Sequence, residues 1–90
     1  MARTWALMAV GAGPDEGTSW LLAAGSREDV AHRAQLARER YAGLRASNVS
    51  RWRIGALTLV PLDHPSLRNA RRDVSITSLA TLEDRDRKAG

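Results

Sequence analysis

The stretch that decides the fold is residues 4–25, TWALMAVGAGPDEGTSWLLAAG. Two apolar runs, Thr4–Val10 and Thr18–Ala24, flank a loop rich in glycine and other turn-forming residues. This pattern predicts two β-strands joined as a β-hairpin. The loop is longer than a tight turn, so the register between the strands stays open. One register places Trp5 and Trp20 on the same face of the sheet, and the other places them on opposite faces.

An amphipathic helix is predicted directly after the hairpin. Ser26 stands at the N-cap position, and acidic residues follow in the first turn, where they favour the positive end of the helix dipole. Asp29 and Arg33 are spaced to form an ion pair on the helix surface. Apolar side chains then recur every three or four residues, so they share one buried stripe made of Val30, Ala34, Ala37, Tyr41 and Leu44.

The rest of the chain adds one clear strand and one weaker strand. Residues 50–62 first alternate between polar and apolar side chains, then become apolar on both faces and end at prolines, which predicts a third strand. Ser66 is expected to cap a short helical turn, and the alternation over residues 73–77 predicts a short fourth strand at the edge. The predicted fold class is therefore α+β: a β-hairpin, one amphipathic helix, a third strand and a short fourth strand. Together they form a sheet of three or four strands with the helix packed on one face.

Length and composition bound what the chain can be. Its 90 residues are enough for one domain, and we assign residues 1–82 to a single α/β domain and the charged residues 83–90 to a flexible C-terminal tail. The absence of cysteine excludes a disulfide scaffold, a cysteine nucleophile and a thiolate-ligated metal site. The longest uncharged stretch, residues 4–14, is far shorter than the roughly 20 apolar residues of a membrane span. We therefore expect a cytoplasmic protein.

The net charge is +4, and 13 of the 14 basic residues are arginine. Together with 15 alanines, this skew is typical of a GC-rich genome and favours an arginine-rich accessory protein of a bacterium or its phage. Arginine also suits bidentate binding of phosphate or carboxylate. The composition alone does not choose between these two origins of the arginine excess.

No motif in the sequence predicts catalysis. Gly11, Gly13 and Gly17 have a spacing that departs from a phosphate-binding loop, and a strand follows them where such a loop needs a helix. Asp63, His64 and Ser66 are the residue types of a catalytic triad, but near neighbours in one turn rarely converge in the required geometry. We expect no enzymatic activity, no cofactor and no metal ion.

The apolar pattern of the strands predicts a homodimer. All three main strands carry apolar side chains on both faces, whereas one helix covers only one face of a sheet. We expect a second copy of the chain to cover the other face. The candidate residues for this dimer interface are Met8, Val10, Leu57 and Leu59.

Two functions follow from these features. The first is a small non-enzymatic homodimeric interaction module that binds another macromolecule, most simply a protein. The alternative is a small nucleic-acid-binding or regulatory protein that uses its arginine clusters, and Arg51-Trp52-Arg53 would then combine a stacking ring with phosphate-binding groups. The candidate residues for this alternative are Arg51, Arg53, Arg68, Arg71 and Arg72.

Overall fold

The computed structural model describes residues 3–82 and contains one antiparallel sheet of three strands in the order β2-β1-β3. The predicted α+β class, with a hairpin, one long helix and a third strand, is confirmed. The strands and helices are β1 (Trp5–Gly11), β2 (Ser19–Gly25), α1 (Arg27–Ala46), β3 (Ile54–Pro61) and α2 (Val74–Thr77), with single 3-10 turns at Gly13–Asp15, Pro65–Asn69 and Ser78–Ala80.

The hairpin resolves the register that the sequence left open. Trp5 pairs with Gly25 and Ala9 with Trp20, and the register shifts by one residue just after Leu7. Both tryptophans therefore pack on the same face of the sheet, against the main core. A bulge of this kind also bends the strand, which helps a short sheet to wrap around a single helix.

Helix α1 begins and packs as the sequence predicts. The Ser26 hydroxyl accepts a hydrogen bond from the backbone N–H of Asp29 at 3.1 Å, which satisfies one of the free donors in the first turn. The Arg33–Asp29 ion pair is also present, at 2.9 Å. The apolar stripe faces the sheet, where Ala34 and Ala37 are buried and Tyr41 is half-buried.

Residues 62–82, here called the C-terminal strap, cover both faces of the sheet in turn. Leu67 is buried on the face opposite α1, where it contacts the cluster of Ala6, Met8 and Val60. The strap then forms two backbone hydrogen bonds along β2, from Arg71 N–H to Ser19 O at 2.8 Å and from Leu21 N–H to Arg71 O at 2.9 Å. Beyond this point it returns to the helix side of the sheet.

On the helix side, the strap completes the main core. Ile76 is fully buried, and Leu79 and Ala80 are 3% and 1% exposed within the same cluster as the stripe of α1. The second face of the sheet is thus covered at its centre by the chain's own strap. No helix within residues 3–82 is long and apolar enough to cross a membrane.

The fourth strand is not seen among residues 3–82. The segment predicted to form it contains α2, because the Asp73 carboxylate accepts hydrogen bonds from the Ser75 N–H at 2.9 Å and the Ser75 hydroxyl at 2.7 Å. This cap starts a helical turn that buries Ile76. The turn at Pro65–Asn69 is likewise capped by His64, and not by Ser66 as predicted. The predicted tail, residues 83–90, lies outside the described residues.

Candidate functional site

The four residues predicted for a dimer interface lie on two different faces of the sheet. Leu57 pairs with Ala9 on the helix side, and Leu59 is likewise half-buried against the main core. Met8 and Val10 belong to the opposite face, where Leu67 leaves Met8 only 8% exposed. These side chains therefore do not form one continuous apolar patch.

The five arginines predicted to contact nucleic acid lie in different surroundings. The Arg51 guanidinium lies 5.4 Å from the centre of the Trp52 ring. Asp73 has a pKa below its ordinary value, mainly because of its hydrogen bonds with Ser75, and the charges of Arg51 and Arg71 lower that pKa further. A carboxylate therefore lies within electrostatic reach of both arginines, which weakens this end of the molecule as a phosphate site.

The other three candidate arginines do not share the surroundings of Arg51 and Arg71. Arg53 is exposed, and its backbone N–H donates to the Asp15 carboxylate at 2.8 Å. Arg68 and Arg72 line a shallow depression of about 250 Å³ on the strap, together with Asp63 and His64. Within residues 3–82, no acidic group or cavity is shared by all five arginines.

The glycine-rich loop between β1 and β2 is explained by the geometry of the hairpin. A Cβ atom on Gly11 would lie 2.0 Å from the carbonyl oxygen of Asp15, so the loop can fold back over this position only because it carries no side chain. Gly17 has a φ of +89°, in the left-handed region. The element that follows is β2, so no helix N-terminus points at the loop.

The two histidines have structural surroundings. The His64 Nδ1 atom lies 2.7 Å from the Ser66 hydroxyl and also accepts the Ser66 backbone N–H at 3.1 Å. Both bonds close the same exposed turn, and within the described chain no carboxylate orients the imidazole. His32 is exposed on α1. No group of three or more potential metal-ligating His, Asp or Glu side chains occurs within residues 3–82.

The outer edge of β3 is the feature that the sequence reasoning missed. The edge of β2 is occupied by Arg71 of the strap, whereas β3 has β1 as its single strand neighbour among the described residues. Ile54–Pro61, IGALTLVP, contains no charged residue. Proteins usually protect an exposed edge with charged side chains, bulges or covering segments, because alternate N–H and C=O groups along it are open to pairing with another chain.

Tyr41 fixes the position of this edge relative to α1. Its hydroxyl accepts the Ile54 N–H at 2.8 Å and lies 3.4 Å from the carbonyl oxygen of Trp52. Pro61 ends the strand at the other side and has no N–H to donate. The open part of the edge is therefore bounded by these two residues.

A groove runs between α1 and β3 and is called the β3 groove here. Its volume is about 420 Å³, within the range of ligand-binding clefts. Its lining residues come from the C-terminal half of α1 and the first half of β3: Arg38, Tyr41, Ala42, Arg45, Ile54, Gly55, Ala56 and Leu57. Most of these side chains are apolar, the two charged ones are arginines, and no acidic residue among the described residues 3–82 lines the groove.

The two arginines of the β3 groove are available to a partner. Arg38 and Arg45 are exposed, and neither side chain forms a hydrogen bond or an ion pair with another residue in the range 3–82. Arg33 and Arg40, on the other flank of α1, instead donate to carbonyl groups of the strap. The two flanks of the helix therefore have different roles, one structural and one open to solvent.

Comparison with models of protein families, with curated proteins and with solved structures finds no match for this chain.

Two signals in the sequence could have indicated the β3 groove. One is the uncharged run of residues 54–62, which is unusual for an edge strand. The other is the pair Arg38 and Arg45, seven residues apart and therefore on one flank of α1. The sequence did not give the strand order, and it is the strand order that places β3 at an edge of the sheet and next to that flank of α1.

Proposed function

We propose that this protein is a non-enzymatic interaction module that binds an extended segment of another protein along β3. The observation that carries the proposal is the uncharged outer edge of β3, which pairs with no strand of the described residues and lies beside the β3 groove. An extended segment would pair with the open backbone groups of β3, and its alternate side chains would enter the groove. Main-chain pairing supplies affinity in this mode, and the side-chain groove supplies selectivity.

A second copy of this chain is a poorer occupant of this edge. Antiparallel pairing of β3 with β3 of another copy places both α1 helices on the same face of the joined sheet. Arg38 and Arg45 of each copy would then face the same two arginines of the other copy, and no acidic residue within residues 3–82 lines either groove. The proposal therefore commits to a different protein as the partner.

The homodimer remains a prediction. Its basis was an uncovered second face, and the buried Leu67 reduces the apolar area that a second copy would have to cover. A dimer on that face would use the outer part, where Val10 is half-buried and Ala56 is exposed.

Peptide display followed by NMR tests the proposal. Random peptides of about twelve residues are selected on the immobilised protein, and amide shift changes and hydrogen exchange then map where they bind. We expect shift changes in residues 54–60 and around Tyr41 and Ala42, with slower exchange of the β3 amides. Peptides that map to the strap, or a selection that enriches none, would contradict the proposal.

The nucleic-acid alternative predicts a different result in the same experiment. A single-stranded oligonucleotide would shift the amides around Arg51 and Arg71, and its affinity would fall steeply between about 50 and 200 mM salt. The structure gives this alternative less support than the protein-binding one, since the Asp73 carboxylate lies within electrostatic reach of both arginines. Oligonucleotide binding at that end, together with an unresponsive β3, would reverse the order of the two functions.

A further inference from the structure

The chemistry of the β3 groove specifies its occupant more closely. We infer that the groove selects an acidic strand, with one apolar side chain flanked on the same face by two carboxylates. This inference rests on the proposed function, since it names the ligand of that same edge. The observation behind it is charge: Arg38 and Arg45 line the groove beside mostly apolar residues, and no acidic residue within residues 3–82 lines it.

The spacing of the two arginines fixes the spacing of the carboxylates. Arg38 and Arg45 lie seven residues apart on α1, which is about 10 Å along a helix. Side chains on one face of a strand are about 6.7 Å apart for neighbours and about 13 Å apart for residues i and i+4. The spacing of the arginines and that of residues i and i+4 of a strand differ by about 3 Å, which long and flexible glutamate and arginine side chains can span. Two carboxylates in the pattern acidic–x–apolar–x–acidic can therefore reach the two arginines.

The apolar residue at the centre of that pattern has a defined place. Tyr41 and Ala42 lie between the two arginines along α1, and both line the groove together with Leu57. Leu57 is half-buried on the helix side of β3, so a branched aliphatic side chain from the added strand would extend the core in which it packs. A polar side chain at this central position would face apolar atoms on both walls and lose its water.

Three fluorescein-labelled heptapeptides test the inference by anisotropy and by hydrogen exchange of the β3 amides. The probe is TETVTET, its neutral control is TQTVTQT, and its charge-reversed control is TKTVTKT. We expect TETVTET to bind about threefold to tenfold more tightly than TQTVTQT, as two partly exposed ion pairs allow, and TKTVTKT to bind most weakly. The difference between the first two should shrink as salt is raised.

A double variant and a matched control variant assign the effect to the groove. Arg38→Gln with Arg45→Gln should abolish the preference for TETVTET over TQTVTQT. Arg68→Gln with Arg72→Gln removes the same charge from exposed positions on the strap and should leave the preference intact. Equal loss in both double variants would mean that net charge, and not the groove, attracts the acidic peptide, and would overturn the inference.

The remaining outcomes separate this inference from the proposed function. If TQTVTQT slows exchange of the β3 amides as strongly as TETVTET, the acidic preference is wrong, but binding along β3 stands. If none of the peptides acts at millimolar concentration, the inference fails, and the display selection alone decides the proposed function. If raising the protein concentration slows the same amides without any peptide, a second copy occupies the edge and both proposals are wrong.

Discussion

At the residue scale, the Asp73 side chain explains why residues 73–77 contain a helical turn and not the strand that the sequence predicted. Its pKa lies below the ordinary value of 3.8, first because of the Ser75 hydroxyl and backbone N–H, and then because of Arg51 and Arg71. The carboxylate therefore stabilises the folded state at pH values above about 4, and this contribution is lost as the pH falls through the lowered pKa. Alternation over residues 73–77 predicted a strand, because periodicity carries no information about such a cap.

The order of these causes gives a prediction that carbon-13 NMR titration of the Asp73 carboxyl group can check. Ser75→Ala should raise the pKa of Asp73 most, because it removes the largest contribution. Arg51→Gln should raise the pKa less, and concentrated salt should mimic only this second effect. Arg38→Gln removes a charge on another element that is not among these causes, so it is the control and should leave the pKa unchanged. A larger shift from Arg51→Gln than from Ser75→Ala would show that the charges, and not the cap, hold this carboxylate ionised.

At the scale of elements, local signals predicted local structure and failed where contacts distant in sequence decide. Helix α1 was predictable because its cap and its apolar stripe are independent signals that agree. The third strand was predicted from residue 50 but begins at Ile54. The Trp52 N–H donates a hydrogen bond to the Ser50 hydroxyl, and the Ile54 N–H donates one to the Tyr41 hydroxyl. These side chains compete with sheet pairing in a way that alternation does not reveal.

The packing of the strap was the part of the fold that the sequence predicted least well, because the side chains that hold it in place are arginines on α1. Arg40 donates from Nη1 to the carbonyl oxygens of Leu79 at 3.1 Å and Thr81 at 2.7 Å, and Arg33 donates to that of Ala80 at 2.9 Å. The sequence places both arginines beside the apolar stripe of α1, but nothing in the pattern shows that they hold the last turn of the strap. Charged donors on carbonyl groups at the end of a helical turn also satisfy acceptors that the turn leaves open.

We therefore expect Arg40→Met to loosen the strap. Hydrogen bonds from a charged donor contribute about 1.5–3 kcal/mol when buried, and partial exposure reduces this to about 1–2 kcal/mol of unfolding free energy. Urea unfolding measures the loss, and hydrogen exchange should show faster opening of residues 76–81 than of β1. Arg38→Met, on the open flank of α1, is the matched control and should change stability by less than about 0.5 kcal/mol. Equal effects of the two substitutions would contradict a structural role for Arg40.

At the scale of the whole molecule, the strap explains how one helix and three strands can have two buried faces. The sequence showed that both faces of the strands are apolar, and from this a second copy was predicted. The structure shows that the same apolar pattern is met within the chain, by Leu67 on one face and by Ile76, Leu79 and Ala80 on the other. The sequence therefore predicted that both faces of the sheet must be covered. It did not show that the strap of the same chain covers them.

Leu67 is the position that tests whether the second face also supports a dimer. Leu67→Ala removes the cover over Met8 and Val60 and should lower the free energy of unfolding by about 2 kcal/mol, or the Tm by roughly 10 °C. Light scattering over a range of concentrations should then show more species of twice 9.8 kDa in the variant than in the wild type, since apolar area has been exposed. Leu62→Ala, at a side chain already 42% exposed on the same strap, is the control. If Leu67→Ala destabilises the fold without changing the mass distribution, this face has no tendency to pair, and a homodimer would have to form through another surface.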